Sequence, residues 1–253
     1  ARPELLRGSL ASILTAHGAR PTAYVFLTRG RAEDVLAEQT PLFGARLSKS
    51  QAAQTRELTQ RGVARLTTPG RSAAAALCAV NGMQYLDSPP PHGAQYTAYL
   101  AGELSRNTAN AVDICGSAVF AEDEVFYLDG YETQLCNLLS GEMKRISLVL
   151  DGRAAAIQLK CAPRLSVRLP ESPEEPPVIR VRAAVRCDEA DAGKYVEALR
   201  QDVASLLIKC QQWGADPVGF CERARMRVWT LMDWEALDWP ERYRKAVFEI
   251  DIR

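Results

Sequence analysis

The stretch AGKYVEALRQDVASLLIKCQQWG, residues 192–214, decides the architecture of this chain. Val196, Leu199, Val203, Leu206, Leu207, Cys210 and Trp213 recur at the spacing that places side chains on one face of an α-helix, and Gly214 supplies a stop. At 1.5 Å per residue such a helix extends about 33 Å, enough to lie along a strand of eight to ten residues. One apolar stripe of that length requires a surface to cover. The sequence on both sides supplies it.

Downstream, Asp216 reads as an N-cap with Pro217 at the first helical position, where its missing N–H costs nothing, so a second helix is expected to about Val228. The chain closes at 246–253, where Phe248, Ile250 and Ile252 alternate with Glu249 and Asp251, the mark of a strand with one buried face. Upstream, 146–150 and 154–160 flank Asp151-Gly152, a pair that tolerates the positive φ of a two-residue type I′ turn. A second hairpin is expected where Ala118-Val119-Phe120 and Val125-Phe126-Tyr127-Leu128 flank the charged tip Ala121-Glu122-Asp123-Glu124. Strands are also predicted at 165–169 and 178–186, with the Pro/Glu-rich 170–177 as an exposed loop between them.

The amino-terminal part reads differently. Helical spacing at 3–16, a strand at 22–28 and helices near 32–38, 48–61 and 71–80 suggest an α/β layer. Ser88-Pro89-Pro90-Pro91-His92-Gly93 lacks the backbone donors that a helix or central strand needs. The expected class is α+β: small α/β layers first, then a mostly antiparallel sheet packed against the long amphipathic helix. The expected domains are 1–90, a connection at 91–110, and a carboxy-terminal region 111–253 that divides into 111–145 and 146–253.

Composition narrows the function. Thirty-one basic residues against 31 acidic ones leave no net field for a polyanion, which argues against a nucleic-acid partner. No apolar run approaches the length of a bilayer-spanning helix, and the first residues lack a signal-peptide layout, so any membrane anchor is expected to lie outside this stretch. Seven cysteines, with no C-x-x-C pair and an odd total, fit neither a disulfide framework nor a zinc site; most read as small buried apolar residues.

Catalytic signatures are sparse. His17 and His92 are the two histidines, one at a helix end and one in the Pro-rich break. The phosphate-binding, dinucleotide, zincin and serine-hydrolase motifs do not occur. The acidic pairs in 122–124 and 174–175 fall in expected loops and read as solvated tips. No catalytic, cofactor-binding or metal-ligating residue is assigned. Trp213, Trp229, Trp234 and Trp239 all lie in the final stretch with Phe220 and Tyr243, where they either fill the core between helices and sheet or form an aromatic binding patch.

Several segments together resemble the GerAC-like, or Ger(x)C, spore germination proteins. Thr28-Arg29-Gly30-Arg31-Ala32-Glu33-Asp34-Val35-Leu36 is similar to the family's strand-to-helix passage. Gly116-Ser117-Ala118-Val119-Phe120, followed by acidic residues, Tyr127-Leu128 and Glu132-Thr133, resembles its Gly-x-Ala-Val-Phe hairpin and the start of the next helix. Residues 209–220, from Lys209-Cys210-Gln211-Gln212-Trp213-Gly214 through Asp216 to Gly219-Phe220, resemble the end of its long helix and the Asp-x-x-Gly-Phe turn, with Trp234, Trp239 and the closing strand in the family's order. Three departures from the family's pattern stand beside these matches: no lipobox cysteine is read in this stretch, which on the resemblance is expected to begin part-way through the family's first domain, and Cys221 stands where a smaller residue is expected.

The resemblance implies a non-enzymatic lipoprotein subunit on the outer face of the spore inner membrane, without cofactor. Its implied partners are the integral A-type and B-type subunits of a germinant receptor, with membrane attachment through an amino-terminal lipid. On that expectation the region from Asp216 to Trp239 presents a docking surface, with Asp216, Phe220, Trp234 and Trp239 as its candidate residues. The alternative is an extracytoplasmic module that binds the small germinant itself near 89–93. A third reading is a thiol enzyme using one of the cysteines.

Overall fold

The computed structural model describes Leu27, Thr28, Arg31, Glu33, most of 98–121, and 124–253 apart from 171, 173 and 174. The helices expected before residue 90, both histidines, Cys78 and Cys115 lie outside the described residues. The chain divides into two compact units, 1–88 with 96–134 and 89–95 with 135–253.

The described strands of the first unit are Leu27–Thr28 (β1), Ala98–Ala101 (β2), Glu103–Thr108 (β3), Ala111–Ile114 (β4), Ser117–Ala121 (β5) and Glu124–Leu128 (β6). They form two three-stranded sheets, β1-β3-β4 and β2-β5-β6, so the stretch 91–110 that reads as a connection carries β2 and β3. β5 and β6 pair antiparallel from Ser117↔Leu128 to Ala121↔Glu124, the acidic-tipped hairpin expected from the sequence. Gly116 enters it at φ 81, and a Cβ there would sit 2.1 Å from the Leu128 carbonyl oxygen, so only glycine fits.

The next helix, Gly130–Ser140 (α1), starts with a reciprocal cap. Glu132 N–H donates to Asp129 Oδ1 at 2.8 Å while Asp129 N–H donates to Glu132 Oε2 at 3.0 Å. Thr133, one residue on, meets Ser117 of the hairpin hydroxyl to hydroxyl at 3.0 Å in a buried position. The Glu-Thr pair thus has one residue closing the helix end and one tying it to β5.

In the second unit Arg145–Leu150 (β7) and Arg153–Leu159 (β8) pair around Asp151 and Gly152, whose φ values of 50° and 75° are those of the expected tight turn. Arg164–Arg168 (β9), Val178–Ala183 (β10) and Val185–Cys187 (β11) follow. The single strand expected at 178–186 is two strands in two sheets, β9-β10-β12 and β7-β8-β11, where β12 is Val247–Ile252. The switch falls at Ala184, whose carbonyl accepts from Lys160 N–H at 2.8 Å, while Arg253 N–H donates to Ala183 and Val185 N–H donates to Arg253. β12 runs parallel to β10 and antiparallel pairing holds elsewhere in these two sheets, so the α+β class with a mostly antiparallel sheet stands.

The long helix spans Ala192–Gln212 (α2). It buries Tyr195, Leu199, Val203, Leu206, Leu207 and Cys210 and packs against β7, β8, β11 and β12. Each large apolar side chain so covered contributes roughly 1.5–3 kcal/mol relative to exposure. At its first turn the stripe is displaced by one position, because Tyr195 turns inward and donates its hydroxyl to the Arg153 carbonyl at 3.2 Å while Val196 is half-buried. Three short helices complete the unit: Phe220–Arg225 (α3), Leu231–Leu237 (α4) and Trp239–Lys245 (α5).

Candidate functional site

The stretch expected to carry docking begins where α2 ends. Gly214 stands at φ 66 and closes the helix with a paired motif: its N–H donates to Gln211 and the next, Ala215 N–H, to Cys210, both at 2.9 Å. Gln211 reaches across to the last helix, donating from Nε2 to the carbonyls of Tyr243 at 3.0 Å and Ala246 at 2.7 Å. One glutamine therefore holds the end of α5 and the entry to β12 against the long helix. Lys209 lies 5.0 Å from the Trp213 ring centroid, a cation–π contact at the same end.

Asp216 caps the following helix, although not the helix expected. Its Oδ1 accepts from Gly219 N–H at 2.9 Å and its Oδ2 from Cys221 N–H at 2.6 Å. The helix starts at Phe220 and ends at Arg225, shorter than the expected span to Val228, because Gly219 at φ 83 turns the backbone left-handed between Pro217 and the first helical residue. Burial raises the Asp216 carboxyl above its ordinary pKa, against the backbone N–H groups of Phe220, Cys221 and Gly219 that favour its anion. Burial likewise pushes the Cys221 thiol well up, helped by the negative charge of Asp216 and Glu222, which favours the protonated thiol over the thiolate. Of the described cysteines, Cys136 and Cys210 are buried as expected, while Cys187 and Cys221 are half-buried and Cys161 is exposed.

The aromatic side chains separate into two groups. Phe220, Trp234, Trp239 and Tyr243 are buried and linked in series: Trp234 stacks on Trp239 at 6.4 Å, Trp239 meets Tyr243 at 5.9 Å, and Phe220 stacks on Tyr243 at 6.4 Å. Phe248 of β12 joins at 6.2 Å from Phe220 and 6.1 Å from Tyr243. The core reading of these aromatics therefore holds, and Phe220, Trp234 and Trp239 are corrected as docking residues, because side chains this enclosed present no face to a partner. Asp216 is occupied with the helix start.

What the stretch does present was not singled out from sequence. Met226 is 78%, Trp229 99% and Met232 79% exposed. Trp229 alone among the four tryptophans stands in solvent; Trp213 is half-buried. Among the described residues an open groove runs between α2 and β12, lined by Arg200, Ala204, Ile208 and Gln211 on one side and Phe248 and Ile250 on the other. Among the described residues no group of three His, Cys, Asp or Glu is placed to hold a metal, and no helix is long and apolar enough to cross a membrane.

No family model matches the chain. No curated protein matches it either. Comparison of coordinates does find a relative: the crystal structure of the GerBC protein aligns over 97% of this chain and 73% of its own, with a TM-score of 0.63 and 14% sequence identity. The chain has the GerBC fold. At that identity the likeness is one of architecture, in keeping with the α+β class.

Proposed function

We propose that this chain is the extracytoplasmic C subunit of a bacterial spore germinant receptor, a non-enzymatic component that docks with integral A-type and B-type membrane subunits and supports nutrient-triggered germination. The observation that carries the reading is the GerBC likeness across 97% of the chain. The resemblance of short segments adds to it: the Gly-x-Ala-Val-Phe hairpin, the long-helix end and the Asp-x-x-Gly-Phe turn stand in the order expected of Ger(x)C proteins. The proposed location is the outer face of the spore inner membrane, held there by an amino-terminal lipid together with the partner subunits, since one lipid chain alone binds only marginally.

Co-purification tests the proposal. The full-length protein, tagged and recovered from spore membranes, is expected to bring down two polytopic subunits, and spores lacking it are expected to lose the response to at least one nutrient. Normal germination of the deleted strain with every nutrient, and no membrane subunit recovered, would overturn it.

A further inference from the structure

We propose that the segment from the last residue of α3 to the first turn of α4, residues 225–232, is a membrane contact that seats this chain on an anionic lipid surface. Three of its large apolar side chains, Met226, Trp229 and Met232, are 78%, 99% and 79% exposed, so they contribute almost nothing to packing within the chain. The backbone beneath them is nevertheless held at both ends. Met226 N–H donates to Glu222 at 3.2 Å, Arg227 N–H to Ala224 at 3.0 Å and Val228 N–H to Arg225 at 2.9 Å. On the other side the Thr230 side chain accepts from Asp233 N–H at 3.1 Å and its carbonyl accepts from Trp234 N–H at 3.2 Å. Buried Ala224 and Trp234 fix the two ends in the core. The fold thus fixes a solvent-facing tryptophan at no visible benefit to its own stability.

The choice of lipid over protein rests on charge and size. Exposed Arg225 and Arg227 alternate with Met226 and Val228, and from 222 to 232 three arginines face one glutamate. Arg223 also donates to the Gly219 carbonyl at 3.1 Å, and the first acid beyond the segment, Asp233, is engaged with the Thr230 hydroxyl at 2.6 Å. A tryptophan flanked by arginines suits the headgroup level of a bilayer, where the ring is half solvated and the guanidinium meets phosphate. Area points the same way: with an aromatic carrying about 150–250 Å², the three side chains offer roughly 500–600 Å², short of the ~800 Å² per partner of a stable protein interface. A bilayer sets no such minimum. The inference does not rest on the receptor reading, since the residues would act in the same way in a chain with another role.

The test is flotation of the full chain with phosphatidylglycerol-containing vesicles and with pure phosphatidylcholine vesicles. Binding to the anionic vesicles, weakened by high salt and accompanied by a blue shift of tryptophan emission, is expected. Removing one interfacial side chain in Trp229→Ala should reduce partitioning by about tenfold, with Trp229→Phe restoring much of it and the melting curve unchanged. Arg225→Gln with Arg227→Gln should lower binding to anionic vesicles and leave the weak binding to neutral ones as it was. No binding to anionic vesicles overturns the proposal, as does binding that Trp229→Ala leaves intact. A concentration-dependent dimer that Trp229→Ala abolishes overturns it in favour of a protein contact. None of these failures bears on whether spores without the chain germinate.

Discussion

Trp229 and Trp239 belong to the same short stretch of chain and stand at opposite extremes, 99% and 3% exposed. The second lies in a series of rings that joins α3, α4, α5 and β12; the first lies in the link between α3 and α4, where the backbone is pinned and the side chain is not. The contrast teaches that a cluster of aromatics in sequence is two features in space: an interior that fixes the end of the long helix, and a surface available to something outside the chain.

The largest expected effect breaks the interior half. Trp239→Ala should lower unfolding stability by about 3–5 kcal/mol in urea titration, because a large ring leaves a cavity in a packed series. Trp229→Ala should stay within about 0.5 kcal/mol of the parent, as surface changes do. Equal losses would erase the distinction. A smaller effect is expected at Gly214, where the left-handed backbone remains strained by any side chain. The nearest obstacle, Arg244 Nη2 at 2.7 Å from a built Cβ, is the movable end of a flexible side chain, so Gly214→Ala should cost about 1–2 kcal/mol by the same titration.

Thr230 sharpens the comparison, since it stands at the junction of the two halves. Thr230→Ala removes the cap of α4 and should cost about 1 kcal/mol, with Thr230→Ser retaining most of it. The smallest effect concerns pH. Because burial holds the Asp216 pKa above its unfolded value, the folded chain binds that proton more tightly. Its stabilising contribution is complete below the ordinary carboxylate range and declines as pH rises from that range through the raised pKa. Asp216→Asn keeps a capping side chain without the titration, and the stability–pH curve should be flatter across that window.

Much of this was legible in the sequence. The stripe from Leu199 to Cys210, the Asp151-Gly152 turn and the Gly214 stop are local signals whose physics is complete within a few residues. Asp216 was legible as a cap, whereas the late start at Phe220 depends on Gly219, whose left-handed turn the Asp-Pro pair obscured. The reciprocal cap of Asp129 and Glu132 was readable as an acid just before the helix with a second acid three positions on, and was missed. The split at Ala184 was not read, since β-formers stand on both sides of Ala183-Ala184 and only the partners, Arg253 and Lys160, decide which sheet each half joins. The same holds for the tryptophans: nothing in residue type separates Trp229 from Trp234, and burial follows from which helix turns inward.

The most direct measurement of the central contrast is acrylamide quenching of tryptophan emission in the parent and in Trp229→Phe. The account predicts a readily quenched, red-emitting component in the parent that Trp229→Phe removes, leaving the protected emission of Trp234 and Trp239 with a modest share from Trp213. Retention of the quenched component in Trp229→Phe, together with its loss in Trp234→Phe, would contradict the division between inside and outside.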